Sequence, residues 1–126
     1  MYDDVIIEDD VFCGPSMVFT NVINPRSHVN RKNEYMKTIL HKGSSVGANA
    51  TIVCGHEIGE YALIGAGTVV TKNIKPFALV VGNPARQIGW VSENGHKLQF
   101  DNKGFATCPE TNQLYKLENE FVKRIK

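Results

Sequence analysis

Histidine is the side chain best suited to moving a proton near neutral pH, because its unperturbed pKa lies there. The candidate general bases are therefore the four histidines, His28, His41, His56 and His96. The three cysteines form an odd, widely spaced set without a C-x-x-C pair, which disfavours a disulfide framework and a zinc site. We predict that Cys13 and Cys54 are small apolar side chains rather than catalytic thiols. With a net charge of +1, an anionic ligand must be held by a few local cations.

A repeat of six residues defines the elements that would position these side chains. The position after each apolar residue of the repeat is often glycine. An amphipathic helix needs apolar residues three or four apart and a simple strand needs alternation, so neither explains this period. It predicts a solenoid in which three short strands and three corners close one triangular coil. The apolar residues of the repeat are Ile7, Cys13, Phe19, Leu40, Val46, Ile52, Ile58, Ile64 and Val70.

The predicted coils are few. Leu40 to Lys75 predicts two coils and Met1 to Asn21 about one more. We expect the repeat glycines to allow positive φ at the corners. Because a solenoid is stabilised by its neighbouring repeats and this one is short, we expect oligomerisation.

Two segments lie outside the period. Residues 22–37 are polar and rich in cations, and are predicted to form a loop from one corner; loops of this length are often functional. After Lys75 the period ends, and Val80 to Arg86 predicts a last strand and a turn. The expected organisation is a β-helix over 1–86 and a C-terminal β-ribbon over 87–126 that caps it. The ribbon strands are predicted at 97–100, 105–108, 113–117 and 120–125.

Composition excludes several classes of protein. The 126 residues suit one domain, and no apolar run reaches the roughly 18–20 residues of a membrane span. The first residues do not resemble a secretory signal, so we expect a cytoplasmic protein with reduced thiols. Neither nucleic acid nor a membrane is expected as a partner.

Several motifs together resemble the hexapeptide-repeat acyltransferases. They are the six-residue period, the interrupting loop, Ile64 to Lys72 (IGAGTVVTK) and Val81 to Arg86 (VGNPAR). The resemblance implies an all-β fold, a left-handed parallel β-helix of about three coils. It also implies acetyl-CoA as co-substrate, no metal, and a homotrimer with active sites between subunits.

A narrower resemblance is carried by Val18 to Asn21 (VFTN), Pro25-Arg26, Gln87 to Leu98 and Cys108 to Glu110. These are similar to bacterial N-acetyltransferases acting on nucleotide-linked 3-amino sugars. They are most similar to the UDP-2-acetamido-3-amino-2,3-dideoxy-glucuronate N-acetyltransferases of surface polysaccharide synthesis. Relatives usually have more coils upstream, and some have a cysteine-rich C-terminal tail. This sequence departs from both patterns.

This resemblance implies roles for particular residues. Asn21 matches the family residue that contacts the sugar's amino group, and it can orient an amine but cannot act as a base. Arg26 could pair with a uronate carboxylate or a phosphate, or be a solvated loop cation. Gly65-Ala66-Gly67 would let a pantetheine arm approach closely, although corner geometry alone explains the glycines equally well. Lys72 and Arg86 could meet the phosphates of coenzyme A.

The implied chemistry makes few demands on the protein. An amine attacks a thioester without an enzyme nucleophile, so the protein must supply alignment and donors to the developing oxyanion. Besides Asn21, the candidate catalytic residue is His41, which follows Leu40 and should face outward. The ring of His56 could instead point inward. A sugar amine can lose its proton to solvent or to the departing thiolate, so the mechanism we favour has no base.

Three alternatives stay open. The acceptor could be a dTDP-linked 3-amino-6-deoxyhexose. A metalloenzyme resembling carbonic anhydrase would need three convergent histidines on zinc, which the spacing of His41 and His56 disfavours. The chain could also be a truncated, non-catalytic solenoid that serves as a scaffold.

Overall fold

The computed structural model describes residues 5–20 and 37–126, which contain fourteen β-strands and no helix. In particular, this part of the chain has no helix with the length and hydropathy of a membrane span. The strands are β1 (Val5–Ile7), β2 (Phe12–Cys13), β3 (Val18–Phe19), β4 (Thr38–Leu40), β5 (Ser45–Val46), β6 (Thr51–Ile52), β7 (Glu57–Ile58), β8 (Leu63–Ile64), β9 (Val69–Val70), β10 (Ala78–Val81), β11 (Arg86–Trp90), β12 (Phe105–Thr107), β13 (Leu114–Glu118) and β14 (Phe121–Arg124).

Three parallel sheets form the faces of a triangular β-helix. Face A contains β1, β4 and β7, face B contains β2, β5, β8 and β10, and face C contains β3, β6 and β9. On face A, Ile7 lies beside Leu40 and Leu40 beside Ile58, so inward residues stay in register from coil to coil. The chain visits faces A, B and C in turn, as the six-residue period predicts.

Each coil turns at three corners. Corner I leads from face A to face B and includes residues 41–44 and 59–62. Corner II leads from face B to face C and includes 47–50 and 65–68. Corner III leads back to face A through 53–56 and 71–73. The predicted loop joins face C to face A, and its residues 21–36 lie outside the described residues.

The predicted inward residues form the core of the helix. From Leu40 to Val70, every sixth residue is at most 1% exposed. Complete burial of each such aliphatic side chain stabilises the fold by roughly 1.5–3 kcal/mol. In the first coil the prediction also holds for Phe19, whereas Ile7 and Cys13 are only partly buried.

The repeat glycines are needed for a different reason from the one predicted. Positive φ angles occur two residues after the glycine, at Ser16 (61°) and Asn49 (60°). A Cβ at Gly47 would lie 2.5 Å from the backbone N of Ala66 in the next coil, and one at Gly14 2.7 Å from that of Ala48. The expectation of positive φ at Gly14 and Gly47 was therefore wrong. Glycine is required at these positions because the next coil stacks too closely to leave room for a Cβ.

The β-helix continues past Lys75, where the six-residue period ends, and its last parallel strand is β10. Six residues after Val70 is Pro76, but the residue that bridges to Ile58 is Ile74. The corner after β9 is therefore shorter than the earlier ones, which shifts the period. β10 then lies beside β8, and β11 reverses direction to pair antiparallel with β10.

Outside the β-helix, a separate antiparallel sheet, called the second sheet below, contains β12, β13 and β14. It packs against corner I through an aromatic stack, in which Phe77 lies 5.5 Å from both Tyr61 and Tyr115 between ring centroids. The strand predicted at 97–100 is absent, and only Lys97 bridges to Val91. The Leu98 amide instead donates to the Trp90 carbonyl at 2.9 Å, and Leu98 is buried in the second core.

Candidate functional site

Corner II between β8 and β9 presents open backbone to the surface. Ala66 and Gly67 are exposed, and a Cβ at Gly67, where φ is 72°, would meet nothing within 4 Å. Gly65 differs, since its Cβ would lie 2.9 Å from Cγ1 of Val81. Packing therefore accounts for Gly65, whereas Ala66 and Gly67 offer a surface that a flexible ligand can approach closely.

A pocket of about 230 Å³ lies where the β-helix meets β11. Lys72 of corner III lines it together with Ala85 and Gln87. Arg86 stands between those two residues, is exposed, and pairs with Val81. The fold thus brings Lys72 and the segment that carries Arg86 to one pocket, which Gly65-Ala66-Gly67 does not line. Its full lining is Thr71, Lys72, Asn73, Ile74, Lys75, Val80, Ala85 and Gln87.

The open corner and the cationic pocket are connected along the outside of face C. β9 runs between them, and the five steps from Gly67 to Lys72 span at most about 16 Å at roughly 3.3 Å per residue. An extended ligand along this edge would contact both places. We call this surface, from Gly65 to Lys72 with Arg86, the face C strip.

The predicted acceptor residues are not part of the described structure, but the residue that precedes them is. Asn21 and Arg26 lie outside the described residues. Thr20, the residue before Asn21, is fixed to the second coil: its amide donates to the Ile52 carbonyl at 3.0 Å, and its Oγ1 accepts from the Cys54 amide at 2.9 Å. Thr20 therefore lies at the end of face C that leads to corner III, the corner that also carries Lys72.

His41 lies elsewhere, on corner I, which is opposite face C in a three-sided coil. Its side chain is 29% exposed, so the predicted outward direction is confirmed. Nε2 lies 2.7 Å from Oε1 of Glu57, and Nδ1 lies 3.1 Å from Oε1 of Glu8. The hydrogen bond to Glu57 raises the pKa of His41, partial burial opposes the rise, and Glu8 adds to it.

This geometry determines what His41 can do chemically. A protonated imidazole donates from both ring nitrogens, one to each carboxylate, and then has no lone pair to accept a substrate proton. A raised pKa favours that cationic form. This arrangement is better suited to linking neighbouring coils than to accepting a proton from a substrate. The catalytic role of His41 stays a prediction.

The remaining histidine and cysteine candidates do not converge on a site. His56 is partly exposed at corner III, and its carbonyl accepts from the Ile39 amide at 3.3 Å. Cys54 is 2% exposed, and burial raises the pKa of the Cys13 thiol, as expected for apolar cysteines. The described part of the chain contains no group of three metal-ligating side chains.

Sequence reasoning missed the two carboxylates at His41. The repeat carried the signal for Glu8, since Glu8 follows Ile7 as His41 follows Leu40, and such positions stack on one corner. Glu57 precedes Ile58 rather than following it. Its contact with His41 depends on side-chain direction, which the period does not specify.

Comparisons with known proteins agree with this fold. No protein-family model matches the chain. The dTDP-3-amino-3,6-dideoxy-alpha-D-galactopyranose 3-N-acetyltransferase of Aneurinibacillus thermoaerophilus is 52% identical over 73 residues, which are 57% of this chain and 38% of that protein. A galactoside acetyltransferase solved with coenzyme A superimposes with a TM-score of 0.62 at 28% identity, over 75% of this chain and 52% of that one. The chain is thus similar to acetyltransferases both in sequence and in fold.

A second solved structure extends the comparison of the fold. A hexapeptide-repeat acetyltransferase from Vibrio cholerae O1 biovar eltor, complexed with acetyl coenzyme A, has a TM-score of 0.59 at 24% identity. It covers 71% of this chain, which covers 55% of it. The predicted left-handed parallel β-helix is thereby confirmed. The chain spans about two fifths of the curated relative and about half of the solved structures it matches.

Proposed function

We propose that the protein is an acetyl-CoA-dependent N-acetyltransferase that acylates the amino group of a nucleotide-linked 3-amino sugar. The observation that carries this proposal is the face C strip. Its open backbone at Ala66 and Gly67 suits a pantetheine arm, and Lys72 and Arg86 at its far end suit phosphates. The coenzyme A named with the solved relatives supports the same co-substrate.

The acceptor we favour is a dTDP-linked 3-amino-6-deoxyhexose. The relative that is 52% identical is named for the 3-N-acetylation of such a sugar. The UDP-linked 2-acetamido-3-amino-2,3-dideoxy uronic acid, which the sequence motifs favour, stays a prediction, as does surface polysaccharide synthesis. The two acceptors differ in whether Arg26 could pair with the sugar ring. Only the uronic acid carries a carboxylate, which is a partner for a guanidinium.

The proposed reaction is a direct transfer. The amine nitrogen attacks the thioester carbon, a C–N bond forms, the C–S bond breaks, and the amine proton goes to the thiolate or to solvent. Alignment of the two reactants can supply up to roughly 7–11 kcal/mol in ideal cases. The engaged ring nitrogens of His41 support a route without a general base.

We propose a homotrimer in which a neighbouring subunit covers the face C strip. Exposed apolar side chains support burial by another copy: Phe12 on face B is 60% exposed and Val18 on face C is 50% exposed. A second subunit would also turn an open strip into a groove that excludes water. The molar mass by light scattering tests this, and a monomer with full activity would contradict it.

The activity is tested by incubating the chain with acetyl-CoA and a panel of dTDP- and UDP-linked 3-amino sugars, with thiol release as the readout. We expect release with the dTDP-linked 3-amino-6-deoxyhexoses above that with the UDP-linked uronic acid. The reverse order would favour the uronic acid. Absence of saturable acetyl-CoA binding by calorimetry would reject the enzyme and favour the scaffold.

A further inference from the structure

Three coils meet at the imidazole of His41. Glu8 belongs to the first coil, His41 to the second and Glu57 to the third, and their contacts are 3.1 Å and 2.7 Å long. The backbone amide of Lys42 also donates to Oε1 of Glu8 at 3.0 Å. One carboxylate oxygen of the first coil therefore accepts two hydrogen bonds from a single corner of the second.

The strands of the first coil lie at the edges of their sheets. In the described part of the chain, β1, β2 and β3 each form an edge of their sheet and pair with the second coil alone. Its inward residues Ile7 and Cys13 are only partly buried. Edges with incomplete burial are where local opening is easiest.

We infer that Glu8, His41 and Glu57 form a pH-dependent clip that holds the first coil on the second. The protonated ring gives each carboxylate an N–H donor. A neutral ring has one N–H, so one carboxylate would face a lone pair instead. Loss of the proton therefore both removes a charge-assisted hydrogen bond and leaves two carboxylates near an uncharged ring.

The charged groups that face His41 are mainly acidic. Glu8 comes from the first coil and Glu57 from the third, while Asp9 borders the same corner and its carbonyl accepts from the Gly43 amide. Lys75 shares a groove of about 430 Å³ with His41 and Glu57. Its ammonium, however, donates to the Glu120 carbonyl at 3.1 Å and lies 4.9 Å from the ring centroid of Phe121. Lys42 follows His41 and is exposed.

The direction of the pH effect follows from the shift of His41. The pKa of His41 is raised above the ordinary histidine value of about 6.5, first by the hydrogen bond to Glu57. A group whose folded pKa is raised stabilises the fold fully below its unfolded pKa, and this stabilisation is lost as the pH rises through the folded pKa. We expect the first coil to loosen as the pH rises above about 6.5 and through the raised pKa of His41.

Native-state hydrogen exchange of the full chain tests the clip, with protection corrected for the pH dependence of intrinsic exchange. The first-coil reporters are the amides of Phe12, Val18 and Thr20, which donate to second-coil carbonyls. The internal controls are the amides of Ser45 and Thr51, which donate to the third coil. Between pH 6 and pH 9 we expect the protection of the reporters to fall roughly tenfold relative to the controls.

Two variants and one matched control make the result decisive. His41→Gln should give low first-coil protection that no longer depends on pH, and Glu8→Gln should reduce the pH dependence without creating a cavity. The control is His96→Gln, which removes another histidine–carboxylate contact, between Nε2 of His96 and Oε2 of Glu110 at 3.0 Å. Both residues follow the coils in the sequence. It should behave as the unmodified chain.

The inference is overturned if first-coil protection is independent of pH in the unmodified chain, or if all coils lose protection together. It is also overturned if the pH dependence survives in His41→Gln or, should that variant not fold, in Glu8→Gln. Exchange does not require catalysis, so these outcomes stand apart from the fate of the proposed function.

Discussion

Corner I and the face C strip use the same kind of coil in opposite ways. At corner I, His41 and two carboxylates satisfy one another, and an aromatic stack docks the second sheet beside them. Along face C, corner II presents backbone that a Cβ at Gly67 would not crowd, and Lys72 borders an open pocket. The difference shows that a titratable side chain whose hydrogen bonds are all made within the protein can stabilise the fold. Reactants instead need surface groups that other residues do not already contact.

The largest expected effect belongs to Asn21, which directly follows Thr20 in the sequence. Asn21→Ala should lower kcat/KM for the amino sugar by roughly 100-fold with assembly unchanged, because a misaligned amine loses much of the advantage of proximity. Steady-state kinetics and light scattering measure both quantities. Unchanged kinetics would mean that Asn21 is not part of the site. The proposed contrast between the face C strip and corner I would then lose this support.

The cations at the end of the strip should have the next largest effect. Lys72→Ala and Arg86→Ala should each raise the KM for acetyl-CoA roughly tenfold with little change in kcat, since each removes a charged partner of a phosphate. Lys42→Ala is the matched control, because Lys42 is an exposed corner I cation whose contact to Glu8 is made by its backbone. An equal rise in KM for all three would mean that general charge, not the strip, attracts the ligand.

A smaller effect is expected at the open corner. Gly67→Ala should raise the KM for acetyl-CoA a few-fold, because its methyl group would project into the surface proposed for pantetheine, and should destabilise the fold by about 1–2 kcal/mol through its positive φ. Asn49→Ala places alanine at the equivalent position of the preceding coil, where φ is 60°. If both variants lose stability and neither changes KM, corner geometry alone accounts for Gly67.

The smallest change in activity is expected at corner I. His41→Gln should alter kcat/KM at pH 7 by less than about threefold and should leave the acidic limb of the pH profile in place, since opening of the first coil remains rare even after a tenfold loss of protection. Rates measured from pH 5 to pH 9 check both expectations. Loss of the acidic limb with most of the activity would make His41 a general base and place catalysis at corner I.

The sequence by itself determined the β-helix and its core. A residue buried at every sixth position is a local requirement of one short strand and one corner, so Val46, Ile52 and Ile58 could be assigned inward without any long-range contact. The same stepping placed Glu8 and His41 on one corner, although the sequence did not show that they touch.

Only the tertiary structure decided how neighbouring coils fit. Gly47 is required by the backbone of the next coil, and Ile74 takes the inward place because a short corner shifts the period. The docking of Tyr115 on Phe77 and the contact of His41 with Glu57 likewise join residues from different turns or sheets. Such contacts depend on coil spacing and side-chain direction, which arise only when the separate turns are stacked in three dimensions.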